Sequence, residues 1–223
     1  MPTPIRAVVF DLDGLMFDTE SLFFRVAAEM LAARGKRFTP EIMRAMIGRR
    51  AVEAGHSFKA LAGLEEPVED LMAEARARFS AEMDAAVHPT PGLFVLLDHL
   101  EGARLPRAVA TSSRREYAER LLRTHRLRDR FAFVLASEDV TRGKPDPEIY
   151  RAAAERFGLP PRSVLVLEDS AAGLASARGA GAFAVGVPHE NSPAEGLRDA
   201  DLIVPRLDDP ALLALLNGEE AHD

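Results

Sequence analysis

Short apolar runs punctuate this chain: Ile5-Arg6-Ala7-Val8-Val9-Phe10 near its start, then Arg107–Thr111, Phe133–Ala136, Val164–Leu167, Ala182–Val187 and Leu202–Val204. Runs this short, bounded by Gly, Pro or polar residues, predict strands buried on both faces. Amphipathic stretches near 92–101, 114–125, 146–157, 170–179 and 209–216 lie between and after them and predict helices. Strands alternating with helices imply an α/β fold: a doubly wound, Rossmann-like parallel sheet with both faces covered.

The interval after the first run breaks that alternation. From 20 to about 87 apolar positions recur at helical spacing, in Leu22, Phe23, Val26, Met30 and Leu31, and again in Ile42, Met43, Met46 and Ile47. Two further stretches, Val52 to Leu64 and Val68 to Met83, continue it, with Gly35, Gly48, Gly63 and Pro67 as punctuation. His88-Pro89-Thr90-Pro91-Gly92 then forms a stiff, helix-breaking joint. The expected organisation is an α/β catalytic core of residues 1–18 and 89–223, carrying an inserted α-helical cap domain at 19–88. Ligands of doubly wound sheets bind outside the carboxyl ends of the strands, so chemistry is sought there.

Composition narrows the classes. A hydrophobic share of 47% supports a real core, and a net charge of −7 argues against a nucleic-acid partner. The absence of cysteine excludes disulfides, thiolate metal sites and cysteine nucleophiles. No charged leader and no long apolar span precedes the first strand, so a soluble, cytoplasmic protein without a membrane anchor is expected. A monomer is expected as well. Of 28 basic residues only Lys36, Lys59 and Lys144 are lysines, which makes each worth examining.

The candidate chemistry falls at strand ends. Asp11-Leu12-Asp13-Gly14 closes the first run and sets two carboxylates two residues apart, pointing the same way on an extended chain. Such carboxylates are costly to gather unless a cation or hydrogen-bond donors meet them, although Asp and Gly also suit an ordinary turn. Thr111-Ser112-Ser113 follows a strand and leads into a helix, which suits either an anion cradle or a plain N-cap. Lys144 lies in the rigid loop Arg142-Gly143-Lys144-Pro145-Asp146-Pro147, as a phosphate-facing cation or a solvated lysine. Glu168-Asp169 ends the apolar Ser163-Val164-Leu165-Val166-Leu167, with Ser170 as a helix cap and Gly173 close behind. Carboxylates converging on one rim call for a hard cation, and oxygen ligands point to Mg2+.

In this order the four motifs resemble those of the haloacid dehalogenase superfamily of phosphotransferases, over nearly the whole chain. Gly14-Leu15-Met16-Phe17-Asp18-Thr19-Glu20 is similar to the joint entering the cap in its phosphatase and beta-phosphoglucomutase branch. The resemblance implies Asp11 as a nucleophile that forms an aspartyl-phosphate. Asp13 would protonate the leaving alcohol and then activate water. Mg2+ would be held by Asp11, the backbone carbonyl of Asp13 and Asp169, with Glu168 as a further ligand or close behind. Thr111, Ser112, Ser113 and Lys144 would hold the phosphoryl oxygens, with Glu20 and Arg50 as further substrate-binding residues. A solvated turn accounts for Arg49 and Arg50 equally well.

The expected function is a Mg-dependent phosphatase acting on a small phosphorylated metabolite, a sugar phosphate or a phosphoglycolate-like ester. A beta-phosphoglucomutase-type mutase is the nearest rival. Those mutases carry a histidine early in the first cap helix, where this chain has Phe23. Dehalogenases lack the second motif-one aspartate, which is present here as Asp13. A catalytically silent phospho-ligand-binding module would be expected to show a broken motif.

Overall fold

The computed structural model describes residues 4–47, 51–190, 192 and 194–218. Among these, β1 (Ala7–Phe10), β2 (Arg107–Ala110), β3 (Val134–Leu135), β4 (Val164–Glu168), β5 (Phe183–Gly186) and β6 (Leu202–Ile203) form one sheet. Its order is β3-β2-β1-β4-β5-β6, and every neighbouring pair is parallel. Strand order therefore reverses at β1, with β2 and β4 on either side, the kind of switch point where doubly wound sheets bind ligands.

The helices, in chain order, are α1 (Thr19–Ala32), α2 (Pro40–Met46), α3 (Ala51–Ala62), α4 (Val68–Ala86), α5 (Leu93–Gly102), α6 (Arg115–Thr124), α7 (Glu148–Phe157), α8 (Ala171–Ala180) and α9 (Pro210–Leu216). Ala7, Val9, Ala108, Ala110, Val164 and Val166 pack on one face against Ile149 and Ala153 of α7 and Leu174 and Ala177 of α8. The alternate residues Val8, Phe10, Val109, Leu165 and Leu167 are buried too, as two-sided strands require. Each such side chain contributes about 1.5–3 kcal/mol on burial. None of the described helices is long and apolar enough to cross a membrane.

The expected strand ends move by a residue or two. The second strand stops at Ala110 and the fourth runs on to include Glu168. The third keeps only Val134–Leu135 of the expected Phe133–Ala136. The helix expected from 146 begins at Glu148, with Pro147 at its cap position and the Glu148 N–H donating to the Asp146 carboxylate (3.0 Å).

Two compact units result: one from the chain up to Phe17 together with the chain from Pro89 onward, the other from Asp18–His88. Within the first unit the two connecting segments are paired, Phe17 bridging Pro89 while Thr90 donates to the carbonyls of Leu15 (2.6 Å) and Met16 (2.9 Å). The second unit holds α1 to α4 around Leu22, Val26, Met30, Leu31, Ile42, Phe58, Leu71 and Met83. Asp18 caps α1, accepting from the Ser21 N–H (3.1 Å), and Thr39 caps α2 just before Pro40. Arg34 ties the end of α1 to Glu66 (2.8 Å) and Glu74 (2.7 Å). Lys36 and Lys59 both donate to backbone carbonyls between α3 and α4, of Gly63 and Glu65.

Candidate active site

Strand register assembles the acidic cluster. Phe10 of β1 lies opposite Leu167 of β4, so Asp11, just past β1, and Glu168, the last residue of β4, stand side by side at the carboxyl edge of the sheet. The Asp11 N–H still donates to the Leu167 carbonyl (3.0 Å), which holds that register one residue beyond β1. Asp11, Glu168 and Asp169 each present an oxygen within 4.8 Å of the others, and all three are buried. Asp169 does not cap α8: Ser170 does, accepting from the Gly173 N–H (3.0 Å).

Two glycines make room for these carboxylates. Gly14 has φ +82°, and a Cβ there would stand 2.3 Å from Asp169 Oδ2. A Cβ on Gly173, in the first turn of α8, would stand 1.8 Å from Glu168 Oε1.

Lys144 enters from the loop before α7. Its ammonium donates to Asp11 Oδ1, to Glu168 Oε1 (2.6 Å) and to the Ala110 carbonyl (3.1 Å), with the side chain only 6% exposed. The loop is fastened by Glu148, which accepts from the N–H groups of Thr141 (2.8 Å) and Arg142 (2.9 Å). Ser176 of α8 donates to the Asp146 carbonyl (2.6 Å). The solvated alternative for Lys144 thus gives way to a buried ammonium between two carboxylates.

Glu168 is fully enclosed, and both its oxygens are engaged. Oε1 accepts from Lys144 and from Tyr150 (2.5 Å), while Oε2 accepts from Ser170 Oγ (3.0 Å) and N–H (3.3 Å). Lys144 offsets one of three gathered negative charges. Burial pushes the Asp11 carboxyl well above the usual carboxylate range against the pull of Lys144. Burial likewise raises Asp169 to about 6, partly countered by His189. Lys144 would be driven down by burial, but Asp11 and Glu168 outweigh that and keep it charged. A buried, undercompensated set of oxygen ligands suits a small hard divalent cation such as Mg2+.

Asp13 is held elsewhere on the rim. Its Oδ2 accepts from Ser113 Oγ (2.6 Å) and Thr111 Oγ1 (3.4 Å), and its Oδ1 from the Tyr117 hydroxyl (2.7 Å). Thr111 and Ser113 are therefore occupied with a carboxylate, while Ser112 between them is exposed. The plain-cap reading of this segment fails: Arg114 stands at the α6 cap position without a side-chain bond, and Glu138 accepts from the Arg115 N–H (3.1 Å) instead. Glu20 lies in the helical unit, half-buried in the first turn of α1. Arg50 lies outside the described residues.

Several contacts were not anticipated. Both tyrosines of the chain donate to site carboxylates, Tyr117 to Asp13 and Tyr150 to Glu168. His189 Nε2 lies 3.0 Å from Asp169 Oδ2, and Ser192 donates to the Asp169 carbonyl. The signal for His189 was its place just past the carboxyl end of β5; for the tyrosines it was a hydroxyl that, once enclosed, needs a partner.

Residues 8–187 match the haloacid dehalogenase-like hydrolase family. The chain is 34% identical over 201 residues to validoxylamine A 7'-phosphate phosphatase of Streptomyces hygroscopicus subsp. limoneus, covering 89% of this chain and 92% of the relative. It is 30% identical to the phosphorylated carbohydrates phosphatase of Thermotoga maritima, covering 89% and 93%. A haloacid dehalogenase family hydrolase from Deinococcus radiodurans R1, solved with bound phosphate and sodium, superposes with a TM-score of 0.83 at 28% identity, over 98% of this chain and 99% of that one. With four-fifths of its length matched and its acidic cluster built at the mouths of β1 and β4, the chain belongs to the haloacid dehalogenase-like hydrolase family.

Proposed function

We propose that this enzyme is a phosphoric monoester hydrolase that releases phosphate from a small phosphorylated metabolite, in the class of sugar phosphates, by way of Asp11. The observation that carries the reading is the convergence of Asp11, Glu168 and Asp169 at the carboxyl ends of adjacent strands, with the Lys144 ammonium set against Asp11 and Glu168. The phosphatase names of the two relatives support it, and their carbohydrate-like substrates suggest the ester class.

In this mechanism an Asp11 carboxylate oxygen attacks phosphorus as the bond from phosphorus to the alcohol oxygen breaks. Asp13 gives its proton to that departing oxygen, releasing the alcohol and leaving an aspartyl-phosphate. Asp13 then takes a proton from water, whose oxygen displaces Asp11 and frees inorganic phosphate. Lys144 stands against Asp11 where negative charge gathers, and Ser112, exposed between Thr111 and Ser113, is the hydroxyl of its segment left to meet phosphoryl oxygens. Asp11 and Asp169, with the backbone carbonyl of Asp13, would hold Mg2+, while Glu168, both oxygens taken, anchors Lys144. When bound, the cation neutralises the charge of the incoming phosphate and of the two carboxylates. The inserted helical unit is assigned the role of a cap that selects the ester. A cytoplasmic location is part of the same proposal.

The test is phosphate release with Mg2+ across a panel of small phosphomonoesters that includes beta-glucose-1-phosphate, with Asp11→Asn alongside. Release from one or a few esters, reduced at least about a thousandfold by Asp11→Asn, is expected. Conversion of beta-glucose-1-phosphate to glucose-6-phosphate with little release would establish a mutase instead. The exposed Phe23, where such mutases carry histidine, speaks against that outcome.

A further inference from the structure

Tyr117 has no counterpart in the mechanism above, yet its hydroxyl makes one of the two shortest bonds to Asp13. We infer that Tyr117 is a positioning residue that fixes the Asp13 carboxyl in the orientation from which it exchanges a proton with the leaving oxygen; the inference rests on the assignment of Asp13 as acid and base.

An aspartate side chain is poorly defined by its own torsions, because rotation about the bond to the carboxyl group has a broad, shallow profile. One anchored oxygen leaves the other free to sweep around it. Ser113 and Thr111 anchor Oδ2 and Tyr117 anchors Oδ1, so the group is held at two points. The distribution of bonds also marks which oxygen works. A carboxylate oxygen accepts about two hydrogen bonds. Oδ2 has a short bond from Ser113 and a longer one from Thr111, whereas among the described residues Oδ1 has only that from Tyr117, so the open acceptor position, and the proton it would carry, belongs to Oδ1. When the alcohol oxygen leaves phosphorus, the proton passes from Oδ1 to that oxygen, and the Tyr117 bond remains on the same atom throughout.

The mount is stiff enough for the task. A tyrosine has two side-chain torsions and a rigid ring. Its helix, α6, buries Ala118, Leu121 and Leu122 and has its first turn pinned by Arg115, which donates from its backbone to Glu138 and from its guanidinium to the Val134 carbonyl (3.1 Å) and Asp139.

Ester choice separates this role from a structural one. An alkyl alcohol needs a proton to leave, whereas p-nitrophenolate departs as a stable anion. Single-turnover release of the leaving group is measured for p-nitrophenyl phosphate and for the fastest alkyl ester of the panel. For Tyr117→Phe, alkyl release is expected to slow roughly ten- to hundredfold, the span of a lost hydrogen bond to an ionised group. Nitrophenolate release and KM are expected to stay within about twofold. In an Asp13→Asn background, Tyr117→Phe is expected to change neither rate. Tyr117→Leu carries the same expectations should Tyr117→Phe fail to fold. Unchanged alkyl release, equal losses on both esters, or the full loss repeated in the Asp13→Asn background would each overturn the assignment. Asp13→Asn alone retaining wild-type alkyl release would overturn the underlying role of Asp13, and with it that of Tyr117.

Discussion

With so little of its side chain in contact with water, Lys144 has no solvent to replace the partners it serves. Asp11 and Glu168 face it directly, and the charge of Asp169 adds to theirs. A substitution that removes the ammonium and keeps the volume therefore leaves buried carboxylates facing each other. Breaking a buried pair from one side costs about 3–5 kcal/mol, because the remaining charge stays uncompensated. Lys144→Met is expected to lower the metal-free melting temperature and to reduce kcat by about a hundredfold or more, as for other preorganised charges at a reacting centre. Saturating Mg2+ should recover part of the lost stability and little of the rate. Calorimetry and steady-state kinetics on the same preparation check both. A variant as stable and active as the parent would mean that the ammonium is not what balances Asp11.

The β4–α8 junction shows how one element both supplies and accommodates a functional group. Gly173 and Gly179 both lie inside α8, where alanine in place of glycine ordinarily gains about 1 kcal/mol. A Cβ at Gly179 would meet nothing nearer than the Pro147 side chain at 3.4 Å, an ordinary contact. A Cβ at Gly173 would occupy the space of the Glu168 carboxylate. Gly179→Ala is thus expected to keep or raise stability, and Gly173→Ala to lower it by roughly 2 kcal/mol or more and to cut activity sharply. Urea unfolding of the pair reads the contrast; equal behaviour would refute the packing argument. At this scale most of the architecture was legible beforehand. Apolar runs such as Val164–Leu167 are buried on both faces, and position at a strand end flagged Asp11, Asp13, Lys144, Glu168 and Asp169 before any geometry was known. What was not legible depends on which way helices turn their side chains. Tyr117 reaches an aspartate 104 positions away, and nothing in the Arg114–Thr124 stretch announces that target. Thr111 and Ser113 suggested an anion cradle, yet their hydroxyls point to Asp13. That choice is set by the short bond between Ser113 and Asp13, which local pattern does not encode.

For the molecule as a whole, the acidic cluster couples folding, protons and the proposed cation. Asp169 titrates at about 6 in the folded chain against an ordinary value of 3.8, and Asp11 is raised as well, burial being the main cause for both. The sign follows from proton counting. Between about pH 4 and 6 the folded chain holds protons at these carboxyls that the unfolded chain has released. Stability contributed by the cluster is therefore full at the acid end and falls as pH rises through 6. A divalent cation reverses this, because it binds the ionised carboxylates of the folded chain and must displace their protons to do so. Mg2+ at about a hundred times its dissociation constant would add about 2.7 kcal/mol, or roughly 5–10 °C in Tm for a chain of this size. The same Mg2+ concentration should thus raise Tm by that amount at pH 7.5 and far less at pH 5.5. Asp169→Asn should abolish most of the shift at pH 7.5 while making the metal-free protein less sensitive to pH between about 4 and 6. A Mg2+ shift equal at both pH values, or one that survives Asp169→Asn, would place the cation away from these carboxylates. The same result would remove the electrostatic reason for gathering Asp11, Glu168 and Asp169 at the end of the sheet.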